Sequence, residues 1–192
     1  MSRKRIGIFG GSFNPVHFGH IRLARQLRQL AGLDEVWLMV SPQNPFKVNE
    51  TLLDDDKRLQ LVRLALKHEK GLVASDFEFR LPKPSYTWNT LQALATSFPE
   101  HEFTLLIGGD NWISFPKWYH ADDILSHHSV VVYPRKDFDI DVSTLPPNVT
   151  VVNTKLIPIS STQVRRRIAE GKSIDRLVPK AVARLILEEH LY

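Results

Sequence analysis

The chain has 192 residues, 43% of them hydrophobic, which suits a single domain with a core of ordinary size. Lys and Arg number 25 against 21 Asp and Glu; the resulting net charge of +4 favours polyanionic ligands, but the longest basic run, Arg165-Arg166-Arg167, is too short to mark a nucleic-acid surface. The lack of cysteine excludes disulfides, thiolate catalysis and zinc–sulfur sites; no apolar run approaches the ~20 residues of a membrane span, the apolar stretch 6–9 is too short for a signal-peptide core, and a soluble cytoplasmic protein is expected.

In chain order, residues 5–10 read as a buried strand, and 17–32 as a helix with Leu23, Ala24, Leu27, Leu30 and Ala31 at helical spacing. A second strand is expected at 35–41, and a helix at 54–69 with acidic residues in its first turn. Residues 72–76 read as a strand, 87–98 as a helix, and 102–108, 129–134 and 149–156 as three more strands. Helices at 161–170 and 179–190 follow, the latter with Pro179 in its first turn. The Pro- and Asp-rich piece 136–148 reads as a surface excursion. Continuously apolar strands separated by helices imply a parallel sheet covered on both faces. The expected fold is one doubly wound, Rossmann-like α/β domain spanning 1–192, with ligands bound beyond the carboxyl ends of the strands.

The first strand runs into Gly10-Gly11-Ser12-Phe13-Asn14-Pro15-Val16-His17-Phe18-Gly19-His20. Gly10 and Gly11 permit a tight turn and a close approach of backbone to ligand. A helix starting near His17 offers free N–H groups and a positive dipole end to phosphate. His17 and His20, three apart, share a helical face, where two imidazoles serve as donors to phosphate or as metal ligands. The segment lacks the spacing of the dinucleotide fingerprint and of the Gly-Lys-Ser/Thr phosphate loop. Near the C-terminus, Ser160-Ser161-Thr162-Gln163-Val164-Arg165 gives a helix N-cap at Ser160 or Ser161, a second anion site, and an Arg one turn later whose fork fits phosphate oxygens.

The His-Phe-Gly-His run resembles the signature of the nucleotidyltransferase superfamily that shares its core with class I aminoacyl-tRNA synthetases, and Ser-Ser-Thr-x-x-Arg resembles the closing motif of the nucleotide adenylyltransferases. Three internal segments are similar in order and spacing to those of bacterial nicotinate-mononucleotide adenylyltransferases: residues 42–47, 85–91, and 108–112 with 115–119 close behind. The resemblance runs from Ile6 to about Ile168 and departs from the family pattern at Phe46, where His is common, and at Asn89, where an acidic residue is common.

The resemblance implies adenylyl transfer from ATP to nicotinate mononucleotide, releasing pyrophosphate. It implies that Gly10, Gly11, Ser12, Phe13, Gly19 and Gly108 line ATP, that His17 and His20 contact its phosphates as the catalytic pair, and that Asp110 holds the nucleoside through the ribose or near the base. Ser161, Thr162 and Arg165 fall to the β- and γ-phosphates. On the acceptor side it implies Lys47 at the phosphate, Trp118 on the pyridine ring, and the backbone N–H groups of Thr87 and Tyr119 at its carboxylate. Read alone, Trp112 and Trp118 fit a core equally, and Lys47 an ordinary surface. The acceptor's phosphate oxygen is already anionic, so no covalent intermediate or general base is required; alignment and charge stabilisation suffice. Mg²⁺ is expected to arrive with ATP, held by phosphates and water rather than by a carboxylate cage. A phosphopantetheine acceptor shares the opening motif but not the Ser-Tyr-Thr and Trp-Tyr segments, and the sequence leaves the oligomeric state open.

Overall fold

The computed structural model describes residues 3–42, 52–136, 138 and 140–192. Its strands are β1 (Lys4–Gly11), β2 (Glu35–Val40), β3 (Leu72–Ser75), β4 (His101–Gly108), β5 (Ser129–Tyr133) and β6 (Val149–Val151). Its helices are α1 (Phe18–Leu30), α2 (Asp55–Leu66), α3 (Thr87–Ser97), α4 (Gly109–Ser114), α5 (Ala121–His127), α6 (Ser161–Ala169) and α7 (Lys180–Glu188). All six strands pair in parallel in the order β3-β2-β1-β4-β5-β6. The chain winds outward one way from β1 to β3, returns to the far side of β1 with β4, and winds outward again. The switch point therefore lies between β1 and β4, where a crevice opens at the strands' carboxyl ends.

The period of two along each strand splits the core into two layers. Ile6 and Ile8 of β1, Phe103, Leu105 and Ile107 of β4, and Val130 and Val132 of β5 face one side, packed with Leu91 and Leu94 of α3 and Ile124 of α5. Phe9, Leu106, Val131 and Tyr133 face the other, against Ile21, Ala24 and Leu27 of α1, Leu59 and Val62 of α2, and Val164 and Val182 of α6 and α7. Gly7 is required in β1 because a Cβ there would lie 2.7 Å from Leu106 and Leu33. Helix α2 starts where its sequence provides a cap: the Asp54 carboxylate accepts from the N–H groups of Asp56 and Lys57 at 3.0 and 3.3 Å.

The structure departs from the sequence reading in four respects. Strand β6 ends at Val151 rather than 156, because beyond Val152 the backbone turns from the ladder to the side chain of Gln26 on α1, which accepts from Lys155 N at 2.7 Å. Two short helices, α4 and α5, were not expected, and Pro179 caps α7 rather than lying within its first turn. The tight turn after β1 is made by Phe13, in the left-handed region at φ 46°, and not by the glycines, which belong to the strand.

Candidate active site

His17 is the N-cap of α1 and His20 its third residue. Their Nδ1 atoms accept reciprocally: His20 N donates to His17 Nδ1 at 3.4 Å, and His17 N to His20 Nδ1 at 3.2 Å. This is a capping box built from two imidazoles, and the rings stack with centroids 3.6 Å apart. Gly19 makes the stack feasible, since a Cβ there would lie 2.7 Å from His17 Nδ1. The arrangement fixes chemistry as well as position. A ring whose Nδ1 accepts carries its proton on Nε2, so each histidine is left with an Nε2–H donor. Burial, reinforced by the nearby Arg135 charge, pushes the His17 pKa down to about 4. Burial, then His17, then Arg135 hold His20 well below the usual imidazole range. Both are therefore neutral donors at physiological pH.

Around them lies a cavity of about 320 Å³ lined by Ser12, His17, Gly19, His20, Tyr133, Arg135, Ser161, Thr162 and Arg165 among others. The two sequence motifs meet at its rim. Ser161 Oγ donates to Pro15 O at 2.9 Å, and Arg165 Nη1 to Asn14 O at 2.6 Å. The N-cap of α6 is Ser160, whose hydroxyl accepts from Gln163 N at 3.1 Å; this leaves Ser161 for the inter-motif bond. The basic run divides: Arg165 turns to the cavity, while Arg167 donates to Ser173 O at 2.7 Å and is more than the plain solvated residue its sequence suggests.

A second, larger cavity of about 670 Å³ adjoins it, the two sharing Tyr133. Gly10 and Gly11 from β1, Thr87 at the start of α3, and Trp118 and Tyr119 are among the residues that line it. A Cβ on Gly10 would meet nothing closer than Ser41 Oγ at 4.0 Å, so the space beside it is open to a ligand. Helix α3 begins at Thr87 without a side-chain cap, so its first N–H groups are available to an anion. Trp118 is half-buried at the cavity wall against Phe115, with ring centroids 5.2 Å apart, and Tyr119 is exposed and packs on Tyr86 at 4.8 Å. Trp112, by contrast, packs on Phe115 and the core and lines neither cavity.

Three expected ATP residues lie behind the walls. Phe13 is buried and supports His20 edge-on at 5.0 Å. Gly108 gives room to Asp110, whose Oδ1 a Cβ there would contact at 2.4 Å. Asp110 itself faces Arg135, with Oδ1 3.6 Å from Nε. Lys47 lies outside the described residues. Arg58, though, fixes both flanks of its segment: fully buried on α2, it donates to Ser41 O at 3.1 Å and Leu53 O at 2.9 Å, and also to Ser12 O.

The sequence reading passed over Arg58 and Arg135. Arg135 lines the smaller cavity and lies over the Tyr133 ring at 5.4 Å, a cation beside the two histidines. Its place directly after β5, at the carboxyl end of the sheet, was the available signal. Arg58 carried no signal, as a lone Arg in an amphipathic helix reads as surface. Among the described residues no group of three His, Asp or Glu side chains could hold a metal ion.

The pattern of the cytidylyltransferase-like family matches residues 8–167. A protein of Bacteroides fragilis (strain YCH46) named "Probable nicotinate-nucleotide adenylyltransferase" is 48% identical over 189 residues, spanning 98% of this chain and 94% of its own length. A protein of the same name from Cytophaga hutchinsonii is 44% identical over 188 residues, 98% of each chain. In fold, the chain is similar to the Plasmodium falciparum nicotinic acid mononucleotide adenylyltransferase solved with NaAD, with a TM-score of 0.82 over 98% of this chain and 97% of that one at 19% identity.

Proposed function

The chain belongs to the cytidylyltransferase-like family and, within it, to the nicotinate-nucleotide adenylyltransferases, and from that premise we propose how its two cavities divide the reaction. The enzyme transfers the adenylyl group of ATP to nicotinate mononucleotide, giving nicotinate adenine dinucleotide and pyrophosphate in NAD biosynthesis. In our reading the smaller cavity takes the triphosphate and the larger one the mononucleotide, with the reacting phosphates meeting at Gly10 and Gly11. The observation that carries this division is the reciprocal His17–His20 cap, which leaves two neutral Nε2–H donors on residues that line the smaller cavity, beside the Tyr133 wall that the two cavities share.

His20 stabilises charge on the α-phosphate as the acceptor's phosphate oxygen forms its bond to phosphorus and the bond to the pyrophosphate oxygen breaks. His17 assists on the same triphosphate; Ser161, Thr162 and Arg165 hold the β- and γ-phosphates. Arg135 adds a cation beside the histidines, and Asp110 orients it from behind or reaches the nucleoside. In the larger cavity Trp118 stacks on the pyridine ring and the N–H groups of Thr87 and Tyr119 take its carboxylate; the acceptor phosphate is assigned to Lys47 from the sequence motif.

Mg²⁺ fits this arrangement as a companion of ATP. The side chains facing the phosphates are N–H and O–H groups rather than carboxylates, so phosphate oxygens and water would complete its shell. Bound there, the ion would neutralise triphosphate charge. No helix among the described residues is long and apolar enough to cross a membrane, and we place the enzyme in the cytoplasm, working on small nucleotides rather than nucleic acid.

Pyrophosphate release from ATP, followed with nicotinate mononucleotide, nicotinamide mononucleotide and phosphopantetheine in turn, tests the acceptor assignment. Turnover is expected with the pyridine mononucleotides and none with phosphopantetheine; efficient use of phosphopantetheine would overturn it.

A further inference from the structure

Glu78, on the short 3-10 turn Phe77–Arg80, is a carboxylate in the wall of the larger cavity that the mechanism leaves idle. It is 6% exposed. One oxygen, Oε1, accepts from Thr90 Oγ1 of α3 at 2.8 Å. The other, Oε2, is buried without a hydrogen-bond partner, and so is the Ser85 hydroxyl. The Ser41 and Ser85 hydroxyls face the carboxylate and favour its ionised form against burial, which is the larger influence and raises its pKa, yet no hydrogen bond closes between Ser85 and Glu78. A buried carboxylate oxygen without a donor is costly and asks for one.

The chemistry of the pair selects the ligand group. Phosphate and carboxylate would be repelled by Glu78, and an apolar ring edge would leave both atoms unpaired. A hydroxyl suits both, donating to Oε2 and accepting from Ser85 Oγ. The location selects which hydroxyl. Thr90, which holds Glu78, lies three residues beyond Thr87 and therefore about 4.5 Å further along α3. Glu78, Ser85 and Thr90 line the same cavity as Thr87, Trp118 and Tyr119, which take the ring in the reading above, and as Gly10 and Gly11, where the phosphates meet in it, and the sugar is the part of the mononucleotide that joins the two. We propose that Glu78 and Ser85 form the sugar subsite of the acceptor cavity, the Glu78 carboxylate receiving a ribose hydroxyl of the mononucleotide. The inference rests on the assignment of the larger cavity to the acceptor.

The test compares kcat/KM for nicotinate mononucleotide and its 2′-deoxy and 3′-deoxy forms in the wild type, Glu78→Ala and Glu78→Gln, with the KM for ATP measured alongside. A hydrogen bond to a charged group makes wild-type discrimination against one deoxy form ~10- to 100-fold. In Glu78→Ala that ratio should fall to near one, in Glu78→Gln to an intermediate value, with the KM for ATP unmoved in both. Wild-type indifference to both deoxy acceptors, or undiminished discrimination in the variants, overturns the proposal. If Glu78→Ala does not fold, the near-isosteric Glu78→Gln decides alone. A wild type that fails to use nicotinate mononucleotide at all would instead bring down the acceptor assignment, and the subsite with it.

Discussion

Replacing His20 by alanine separates the structural task of the His17–His20 pair from the catalytic one proposed for it. On the stability side the variant loses one half of the reciprocal cap, about 1 kcal/mol, and the edge-on contact with Phe13 at 5.0 Å, about another 1 kcal/mol. His17 keeps its own Nδ1 acceptor for the residue-20 N–H, because that bond uses the backbone of position 20. A loss of about 2 kcal/mol is tolerable for a domain whose stability is on the order of 5–15 kcal/mol, so the variant should fold, with a lowered melting temperature. On the catalytic side it loses a preorganised donor, typically ~100- to 1000-fold in rate. Because the donor acts on charge that develops in the transition state, the loss should fall on kcat, with the KM for ATP changing far less. Circular dichroism melts together with steady-state pyrophosphate release measure both sides. A folded variant that turns over within a few-fold of wild type would refute the role of His20, and a loss confined to the KM for ATP would make it a ground-state contact only.

Lys47→Ala should raise the KM for the acceptor by ~10- to 100-fold, as expected for a lost charge-assisted contact, and leave that for ATP nearly unchanged; the reverse pattern would exchange the two cavities. The His17 imidazole, with its pKa near 4, should keep its neutral, Nε2-protonated ring resonances at pH 5.5, where an ordinary histidine is about nine-tenths protonated. In the unfolded chain His17 binds its proton near pH 6.5 and in the folded chain only near 4. Stability should therefore fall as pH drops through that window, by about 3 kcal/mol in all from this residue; denaturant melts that show no decline between pH 7 and 5 would contradict the cap. Removal of Mg²⁺ by chelation should abolish turnover and re-addition restore it, and full activity in excess chelator would remove the ion from the scheme.

The sheet was legible because parallel strands buried on both faces are continuous apolar runs, and all six lie where those runs lie. Helices α4 and α5, of six and seven residues, escaped because two turns are too short for a helical period to show, and α4 opens with Gly109 at the end of a strand. Strand β6 was read too long because the run up to Leu156 looks like strand interior, whereas its segment leaves the ladder for Gln26 and leads on to Ser161, which bonds Pro15. In the site, motifs announced His17, His20 and Arg165 because several chemically distinctive residues stand at fixed spacing. Arg58 and Glu78 were hidden because each works through contacts distant in sequence: Arg58 with Ser12 and Ser41, Glu78 with Thr90. The glycine pair also misled. Gly10 and Gly11 finish a strand, and the left-handed turn falls on Phe13, whose ring would meet a Cβ on Gly11 at 3.0 Å.

This enzyme is expected to adenylylate the acid form of the pyridine mononucleotide in preference to the amide. The uncapped N-terminus of α3 at Thr87 presents N–H donors that gain charge-assisted bonds to a carboxylate. An amide in the same place turns its NH₂ toward a donor and leaves polar groups unpaired, a mismatch that costs up to ~10,000-fold in sites built for one partner. The direct measurement is the ratio of kcat/KM for nicotinate and nicotinamide mononucleotide at the same ATP and Mg²⁺, with dinucleotide and pyrophosphate quantified together. A clear preference for the acid, with one pyrophosphate released per dinucleotide formed, is the predicted result; equal use of the two, or preference for the amide, would contradict it.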